Sequence, residues 1–485
     1  MVRFVALAVL ILVAVTSCNR AYPTDVHDGP RTTQAPAAAN APTQTPINPS
    51  TPDIPAVSTL INDAIAARRL PGAVVAVGHG GKIVFERAYG VRKLDGEQGL
   101  DGAPAPAEPM TMDTIFDIAS LTKPIGTATA VLQLYEQGKV FFDKPVQAYL
   151  PEFNPANDPQ RAKVTVRMLL THTSGEPGDL DLREPWGLDR ADKTGGVHRA
   201  LNAPLLSEPG EVFRYSDIGF ILLGALVEKV TGQTLDVYVQ RNVFAPLSMH
   251  DTRYLPPAKA CGPHKIRGVA LAWTQGQGPD RCAEGTWNTD LLPRIAPTAL
   301  DEENRADPHR NPDFGRLLRG TVHDPTARRM GGVAGSAGVF STVLDVSRYA
   351  QALLDRLAGR PSPFPLQQAT LQLMTTPQQP GHSTDQLQAA NAAARDVAPR
   401  YPAIRGQNLR GLGWDIDTGH SRPRGTIFPI GSFGHTGFTG TSLWLDPGSN
   451  TYVVLFTNAI HLRGSRPVSD LQGAVATAAA RALGI

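Results

Sequence analysis

Strand-like segments lie near both ends of this chain, and helix-like segments occupy its middle. The four strand-like runs are residues 73–77, 82–85, 442–445 and 452–458. Turn-forming residues separate the members of each pair, His79-Gly80-Gly81 in the first and Asp446-Pro447-Gly448 in the second. Because a strand buries its apolar face only within a sheet, we expect both ends of the chain to share one sheet. The helical middle is then an inserted second region, which makes the fold class α+β.

Helix signals mark much of the remaining chain. The predicted helices are residues 57–70, 120–137, 164–170, 218–230, 342–354 and 468–483. Ser58 is a possible N-cap of the first helix, and Gly138 and Gly232 stand where the second and fourth helices should end. Residues 255–328 are loop-like, and residues 380–398 are either a mobile loop or a helix over the site.

The first residues are typical of an exported protein. Arg3 precedes an apolar run, residues 4–15, that is too short to span a bilayer comfortably. Val15-Thr16-Ser17-Cys18 resembles a bacterial lipobox, in which Cys18 would be lipidated, and the alternatives are an ordinary secretory signal or an uncleaved anchor. We expect a signal peptide over residues 1–18 and a lipid anchor at the cell envelope, facing the periplasm. Asn19 in place of Asp slightly favours the outer membrane.

Composition separates a tether from a folded domain. Residues 19–56 are rich in Pro, Thr and Ala and predict a disordered tether, so the folded domain should span residues 57–485.

The net charge is +2 and the basic residues are dispersed, so the sequence shows no basic patch for binding nucleic acid. We expect a monomer. Cys261 and Cys282 can form a disulfide in an oxidising compartment, or they are two free thiols.

Ser120 and Lys123 stand three residues apart where the second predicted helix begins. Residues i and i+3 share a helix face, so the lysine side chain can reach the serine hydroxyl. A lysine whose pKa is lowered by burial or by neighbouring cations can take the serine proton, and a helix N-terminus offers N–H groups to an oxyanion. A solvated helix start is the alternative interpretation, because Ser-x-x-Lys also occurs by chance.

Two further motifs follow in order, Tyr215-Ser216-Asp217 and His435-Thr436-Gly437. Further short sequence stretches of the same family pattern occur at residues 169–175, 208–216 and 411–414. With Ser120 and Lys123 they make the chain resemble the serine β-lactamase and penicillin-binding-protein superfamily, closest to its class C, esterase and D-Ala-D-Ala peptidase branch. The resemblance covers residues 57–485. It implies a β-lactamase/transpeptidase-like fold, in which helices flank an antiparallel sheet.

The resemblance also implies acyl transfer through a covalent acyl-enzyme, with no metal and no cofactor. Ser120 would attack an amide or ester carbonyl. Lys123 would share the proton transfers with Tyr215, whose phenol would be shifted toward phenolate by Lys123. The oxyanion would lie between the backbone N–H groups of Ser120 and of Phe438 on the edge strand. The residues implied to contact substrate are Asp217, His435, Thr436 and Gly437.

Two positions depart from the family pattern. Asp217 stands where many relatives carry Asn, and an ionised Asp can only accept hydrogen bonds. Asp217 could instead stabilise Lys123 as an ammonium. His435 stands where many β-lactamases carry Lys, and because a histidine is charged only in part near neutral pH, carboxylate recognition should be weaker or pH-dependent. His at this place is more usual among esterase-like and peptidase-like members.

The sequence therefore predicts a D-Ala-D-Ala carboxypeptidase or esterase that binds a peptidoglycan peptide or another small molecule. A β-lactamase is the alternative within this class, and a non-catalytic scaffold or β-lactam sensor is the alternative outside it. An α/β-hydrolase is disfavoured, because residues 334–338 lack the first Gly of Gly-x-Ser-x-Gly. We interpret His172 as structural, His323-Asp324 as a structural or pocket-rim pair, and Trp414 as core.

Overall fold

The computed structural model describes residues 53–485, except residues 280, 396–398 and 465–466. Its α-helices are α1 Pro55–Ala66, α2 Thr129–Glu136, α3 Val166–Thr171, α4 Lys193–Leu201, α5 Asp217–Thr231, α6 Leu235–Val239, α7 Pro325–Arg329, α8 Val343–Leu357, α9 Gln368–Thr375, α10 Gln386–Arg395 and α11 Ser469–Ala482. Its strands are β1 Gly72–His79, β2 Lys82–Lys93, β3 Glu108–Pro109, β4 Phe116–Asp117, β5 Arg253–Tyr254, β6 Ala260–Cys261, β7 His264–Arg267, β8 Ala270–Trp273, β9 Trp287–Asn288, β10 Val339–Ser341, β11 Leu409–Arg410, β12 Asp415–Asp417, β13 Phe433–Gly437, β14 Thr441–Asp446 and β15 Thr451–Phe456. Cys18, the predicted signal peptide and nearly all of the predicted tether lie outside the described residues.

Eight strands form one antiparallel sheet in the order β11-β12-β13-β14-β15-β1-β2-β3. The first strand lies beside the last, with Val75 opposite Leu455. The β1–β2 hairpin turns at Gly80 and Gly81, whose φ angles of 60° and 89° lie in the region that favours glycine. The predictions that the chain ends share one sheet and that the fold is α+β are confirmed.

Both faces of this sheet are buried, and the side chains of β1 show how. Val74 and Ala76 belong to one apolar core, which also contains residues of α2, α5 and α8. Ala73, Val75 and Val77 belong to a second core, which they share with α1 and α11. Successive side chains of a strand point to opposite faces, so a wholly apolar strand needs helices on both sides. The sheet is therefore the middle of three layers.

The helical insertion predicted from the sequence is present, since α2 to α10 all lie between β3 and β11. The loop-like residues 255–328 contain short strands, of which β6 pairs with β9 and β7 with β8. Of the two alternatives for residues 380–398, the helix is present over Gln386–Arg395, as α10. Its residue Asn391 hydrogen-bonds the backbone of Ile430. Trp414 is fully buried and lies 5.5 Å from the ring of Phe433, as its core interpretation requires.

Two helix starts differ in detail from the predictions. α1 begins at Pro55, because proline suits the first helical turn, and Ser58 is therefore not its cap. The segment around Ser120 is helical, but it opens with a 3-10 turn over Ala119–Leu121 and a π-helical stretch over Lys123–Ala128 before α2. Such π-helical stretches are frequent at functional sites. Gly138 adopts a φ of 67° just past the end of α2, as predicted.

Within the described ranges, no single helix is both long and apolar enough to cross a membrane. α5 together with Leu235–Phe244 passes that test only as a pair bent by 78°. Most of α5 is buried in the first apolar core.

Cys261 and Cys282 are joined by a disulfide, with their Cα atoms 5.8 Å apart. The alternative of two free thiols is therefore wrong. The two cysteines are 21 residues apart, and the loop between them carries β7 and β8. Closing this loop restricts the unfolded chain and thus favours the folded state.

Replacing both cysteines by serine should lower the free energy of unfolding by about 3 kcal/mol, the chain-entropy value for a loop of this length. Urea unfolding of the Cys261→Ser/Cys282→Ser variant, beside the wild type with and without dithiothreitol, measures the effect. Reductant should destabilise the wild type and leave the variant unchanged. Equal destabilisation of both proteins, or of neither, would contradict the assignment.

Candidate active site

A strained turn presents Ser120. The preceding residue, Ala119, has a φ of 46°, a conformation that costs an L-residue about 1–2 kcal/mol. The buried carboxylate of Asp117 holds the turn, because it accepts hydrogen bonds from Ala119 N at 2.9 Å and from His323 N at 2.8 Å. Burial raises the pKa of Asp117 to about 6, although these hydrogen bonds oppose the shift. Ser120 is thereby fixed at the start of the helical segment.

Lys123 is fully buried, and its ammonium group has three partners. Its Nζ donates to Ser120 Oγ at 2.9 Å and to the carbonyl oxygen of Ser336 at 2.9 Å, and it lies 2.5 Å from Asp217 Oδ1. An ammonium has three N–H donors and no acceptor, so these three oxygens match its full donor set. The arrangement fits the protonated amine.

The charge of Lys123 is set by a balance between burial and its anionic neighbour. Burial alone would lower the pKa of Lys123, but the Asp217 carboxylate and Tyr215 raise it above its ordinary value. The expectation of a lowered lysine pKa is therefore wrong for the resting protein. The alternative, in which Asp217 stabilises the ammonium, is correct.

His172 positions the backbone on both sides of Tyr215. Its carbonyl oxygen accepts from Arg214 N at 2.8 Å, and its Nδ1 accepts from Ser216 N at 3.1 Å. The imidazole also packs on the phenol ring, with the ring centroids 4.4 Å apart. Its φ of 58° places His172 in the left-handed region where α3 ends. These contacts agree with the structural interpretation of His172.

Tyr215 is a neutral phenol in the resting protein. Burial raises the pKa of Tyr215, and the attraction of Lys123, whose Nζ lies 5.0 Å from the ring centroid, offsets this only in part. Asp217 adds to the rise. The expectation of a phenol shifted toward phenolate is therefore wrong in the absence of substrate.

His435 is also neutral. Burial and the positive charges of Arg410 and Lys123 hold the pKa of His435 well below its usual range. Its Nδ1 lies 2.8 Å from the carbonyl oxygen of Thr436, and because a carbonyl only accepts, Nδ1 carries the proton. The buried Nε2 therefore presents a lone pair. The expectation that His435 is partly charged near neutral pH is wrong.

The strand β13 approaches the Ser120 turn very closely at Gly437. A Cβ atom at Gly437 would lie 2.5 Å from the carbonyl oxygen of Ile118, which no side chain can tolerate without a shift. The residues that follow β13 hold the turn in place, since Thr439 Oγ1 donates to Asp117 O at 2.7 Å and Thr441 Oγ1, on β14, donates to Ile118 O at 3.2 Å. Glycine is thus required here by close backbone approach.

β13 is not the edge strand that was expected, because β12 and β11 lie outside it. The pairing of β12 with β13 is confined to Asp415 opposite Gly434. The following residues, His435 and Thr436, line the catalytic cavity instead of pairing with β12. The early end of this pairing opens the site.

A cavity of about 360 Å³ gathers most of the predicted residues. Those that line it are Ser120, Tyr215, Asp217, His435, Thr436 and Phe438, and the pair His323 and Asp324 stands on its wall. Lys123 lies behind Ser120, and Gly437 supports the wall from β13. Phe438 is 75% exposed, so an apolar ring stands at the cavity mouth. The oxyanion role of the Ser120 and Phe438 amides stays a prediction.

Four polar residues that line the cavity were not singled out from the sequence: Asp179, Arg410, Asp415 and His420. None belongs to a motif with a recognised chemistry, although Arg410 directly precedes the phrase at residues 411–414. They reach the cavity through the fold alone.

Three carboxylates cluster beside Lys123. Oxygens of Asp179, Asp217 and Asp324 lie within 4.8 Å of one another, a spacing at which carboxylates can hold a metal ion. The ammonium of Lys123 already pairs with Asp217. Burial and the neighbouring carboxylates raise the pKa of both Asp179 and Asp324. Their mutual repulsion thus makes these two carboxyl groups easier to protonate, and the ammonium of Lys123 offsets part of the negative charge.

Comparison with known proteins agrees with this geometry. Residues 57–477 match the family model described as Beta-lactamase. An N-acetylmuramyl-L-alanine amidase of Bacillus subtilis (strain 168) is 31% identical over 424 residues, 85% of this chain and 82% of that protein. A proposed D-alanyl-D-alanine carboxypeptidase of Escherichia coli (strain K12) is 29% identical over 402 residues, 81% of this chain and 78% of the other. Esterase EstB of Burkholderia gladioli is 32% identical over 320 residues, 61% of this chain and 74% of the other.

Among solved structures, the octameric penicillin-binding protein homologue from Pyrococcus abyssi superimposes with a TM-score of 0.56. The match covers 89% of this chain and 78% of that one at 22% identity. At this identity the likeness is one of fold.

Replacing Gly437 by alanine should lower kcat/KM for an ester by about 100-fold, because an ångström-scale displacement of β13 from the Ser120 turn misplaces the reacting groups. Gly419→Ala is the matched control, since a Cβ there would meet no atom within 4 Å, and it precedes His420 of the same cavity. Steady-state kinetics with p-nitrophenyl acetate give the comparison. Similar kcat/KM values for the two variants would show that the close approach is unimportant.

Proposed function

The chain belongs to the β-lactamase family, and on that premise we propose that it hydrolyses D-alanyl-D-alanine peptides or esters at the bacterial cell envelope. It is a serine hydrolase of the β-lactamase and penicillin-binding-protein superfamily. The relatives named as carboxypeptidase, esterase and amidase support an amide or ester carbonyl as the reacting group. What we propose beyond the serine hydrolase class is the substrate, a D-alanyl-D-alanine peptide or an ester, and the location at the cell envelope.

One observation carries the proposal. The ammonium of Lys123 contacts both Ser120 Oγ and Asp217, at 2.9 Å and 2.5 Å, and Ser120, Asp217 and Tyr215 all line one cavity. A nucleophile, two proton carriers and a space for substrate are thus adjacent. This is the set of groups that acyl transfer through a serine requires.

The reaction follows from these contacts. The Lys123–Tyr215 pair must first lose one proton, because both groups are protonated at rest. Ser120 Oγ then bonds to the carbonyl carbon while its proton passes to the basic member of the pair, and the oxyanion is held by the amides of Ser120 and Phe438. The departing amine or alcohol takes a proton from Tyr215, which leaves an ester on Ser120. Water attacks this ester while Tyr215 accepts its proton. The bond between the acyl carbon and Ser120 Oγ then breaks, and Tyr215 returns the proton to Ser120 Oγ.

Location and access complete the proposal. A lipid on Cys18 and a tether over residues 19–56 would hold the domain near the membrane, in reach of cell-wall peptides. A monomer suffices, because every group of the reaction comes from one chain. His435 is neutral, so it supplies no charge for a substrate carboxylate, unlike the lysine that many β-lactamases carry at this position.

Mixing the soluble domain with a fluorescent penicillin should give a persistent adduct on Ser120, and the protein should also turn over p-nitrophenyl acetate. Intact mass and fluorescence report the adduct, and absorbance reports the ester. Ser120→Ala should lose both, because the attacking oxygen is missing. Ser207→Ala, a change outside the cavity, serves as the control and should keep both.

The alternatives give different results in the same experiment. Rapid release of hydrolysed penicillin instead of a lasting adduct would favour a β-lactamase. Absence of both adduct and ester turnover in the wild type would contradict the proposal and favour a scaffold.

The pH dependence of kcat/KM should show activity that rises with pH on the alkaline side of neutrality. The pKa values of Lys123 and Tyr215 are both raised, so the basic form of the pair is a minor species at neutral pH and grows as pH increases. Asp217→Asn removes the anion that raises both pKa values. The rising limb should therefore move to lower pH by about 1 to 3 units, the usual effect of one close opposite charge.

Asp143→Asn is the matched control for this pH profile. Asp143 is an exposed carboxylate that pairs with Arg167 at 2.6 Å and does not line the cavity. Its profile should coincide with that of the wild type. A limb that stays in place or moves to higher pH in Asp217→Asn would refute the role given to Asp217.

A further inference from the structure

Arg410 is a buried cation with too few acceptors. Its side chain is fully buried, and among the described residues no hydrogen-bond acceptor reaches its Nε or Nη1. Nη2 donates to the carbonyl oxygen of Gly413 at a long 3.4 Å, and Nη1 lies 3.4 Å from Asp415 Oδ1. A guanidinium has five N–H donors, so most of this group's capacity is unused.

Other buried arginines of the same chain are paired more closely. Arg424 lies 2.9 Å from Asp417, Arg328 2.7 Å from Glu303, and Arg329 also contacts Glu303, at 2.5 Å. The fold thus supplies a close carboxylate to a buried guanidinium elsewhere. A buried charge that lacks such partners is costly, and its retention calls for another explanation.

The position of Arg410 supplies that explanation. It borders the same cavity as Ser120, at the end of β11, and its Cζ lies 5.8 Å from the ring centroid of Phe213. Lys123, the other cation of this region, already has three oxygen partners. The neighbouring His435 presents a lone pair and no charge. Arg410 is therefore the cationic donor of the cavity wall with N–H groups to spare.

Asp415 limits this capacity without meeting it. Its Oδ2 accepts from Ser421 Oγ at 2.9 Å, while its Oδ1 stays at 3.4 Å from Arg410. A closer anion entering the cavity could form shorter, charge-assisted hydrogen bonds to the guanidinium than Asp415 does.

We propose that Arg410 binds a carboxylate of the substrate and so makes this hydrolase selective for substrates that carry an acid group. The inference rests on the proposed function and narrows its substrate class to acidic peptides or acidic esters. Arg410 supplies the positive charge for the substrate carboxylate, which the neutral His435 does not supply. Asp415 weakens the binding of the carboxylate, because it competes for the same N–H donors of Arg410.

Matched acid and neutral substrates test the proposal. One pair is N-acetyl-D-alanyl-D-alanine and its C-terminal amide, and the other is p-nitrophenyl hydrogen glutarate and its methyl ester. The ratio of kcat/KM for the acid to that for the neutral partner measures selectivity independently of overall activity. In the wild type at least one pair should favour the acid by about 10- to 100-fold, the usual value of hydrogen bonds to a charged group.

Variants should change this ratio in opposite directions. Arg410→Gln should bring it close to one, and Arg410→Lys should give an intermediate value because the charge stays but the planar fork is lost. Asp415→Asn should raise the ratio above the wild type, since it removes the competing anion. Loss of stability cannot produce both effects. Arg424→Gln removes a buried arginine that does not line the cavity, and should leave the ratio unchanged.

The outcomes separate this inference from the proposed function. If the wild type hydrolyses the neutral esters, an acid-to-neutral ratio that is the same in Arg410→Lys as in the wild type, or is lower in Asp415→Asn, would overturn the role of Arg410. Either result would leave the proposed hydrolase activity standing. Failure of the wild type to turn over any of the four substrates would instead refute the proposed function. If Arg410→Gln does not fold, Arg410→Lys and Asp415→Asn still decide the question.

Discussion

The ion pair between Lys123 and Asp217 is the contact on which the site depends. It joins the helical segment that carries Ser120 to the first residue of α5, and the carbonyl of Ser336 completes the cage from a third part of the chain. Asp217 raises the pKa of Lys123 against the effect of burial, and burial, aided by Asp217 and opposed by Lys123, raises the pKa of Tyr215. Both groups therefore hold their protons in the resting site, and the proposed reaction requires that one of these protons is lost first.

Much of this arrangement could be predicted from the sequence, because motifs with fixed internal spacing carry their own geometry. Ser120 and Lys123 lie three residues apart, so a helical segment places them side by side. The strand-like runs at both chain ends, each pair joined by turn residues, predicted the sheet that contains β1 and β15. The charge states could not be predicted in the same way. The pKa of His435 depends on burial and on Arg410, and that of Tyr215 on burial, Lys123 and Asp217. Burial and contacts between distant segments are set by the whole fold, and no local sequence pattern encodes them.

The proposed role of Arg410 in substrate recognition also could not be predicted from the sequence. In the sequence it is one of many arginines, placed before a glycine-rich phrase. Its significance comes from the contrast between its sparse contacts and the close pairing of Arg328, Arg329 and Arg424. Residues 255–328 were likewise predicted only as loop, since the strands β6 to β9 within them span two to four residues and lack a repeated pattern.

The neighbouring position of β1 and β15 also has a consequence for how the protein folds. His79 Nδ1 and Thr451 Oγ1 meet at 2.8 Å across a sequence separation of 372 residues. Contacts this distant close a very long loop and slow the search for the native state. The central sheet cannot assemble until the last strand has been synthesised, so the chain must remain incompletely folded for most of its production.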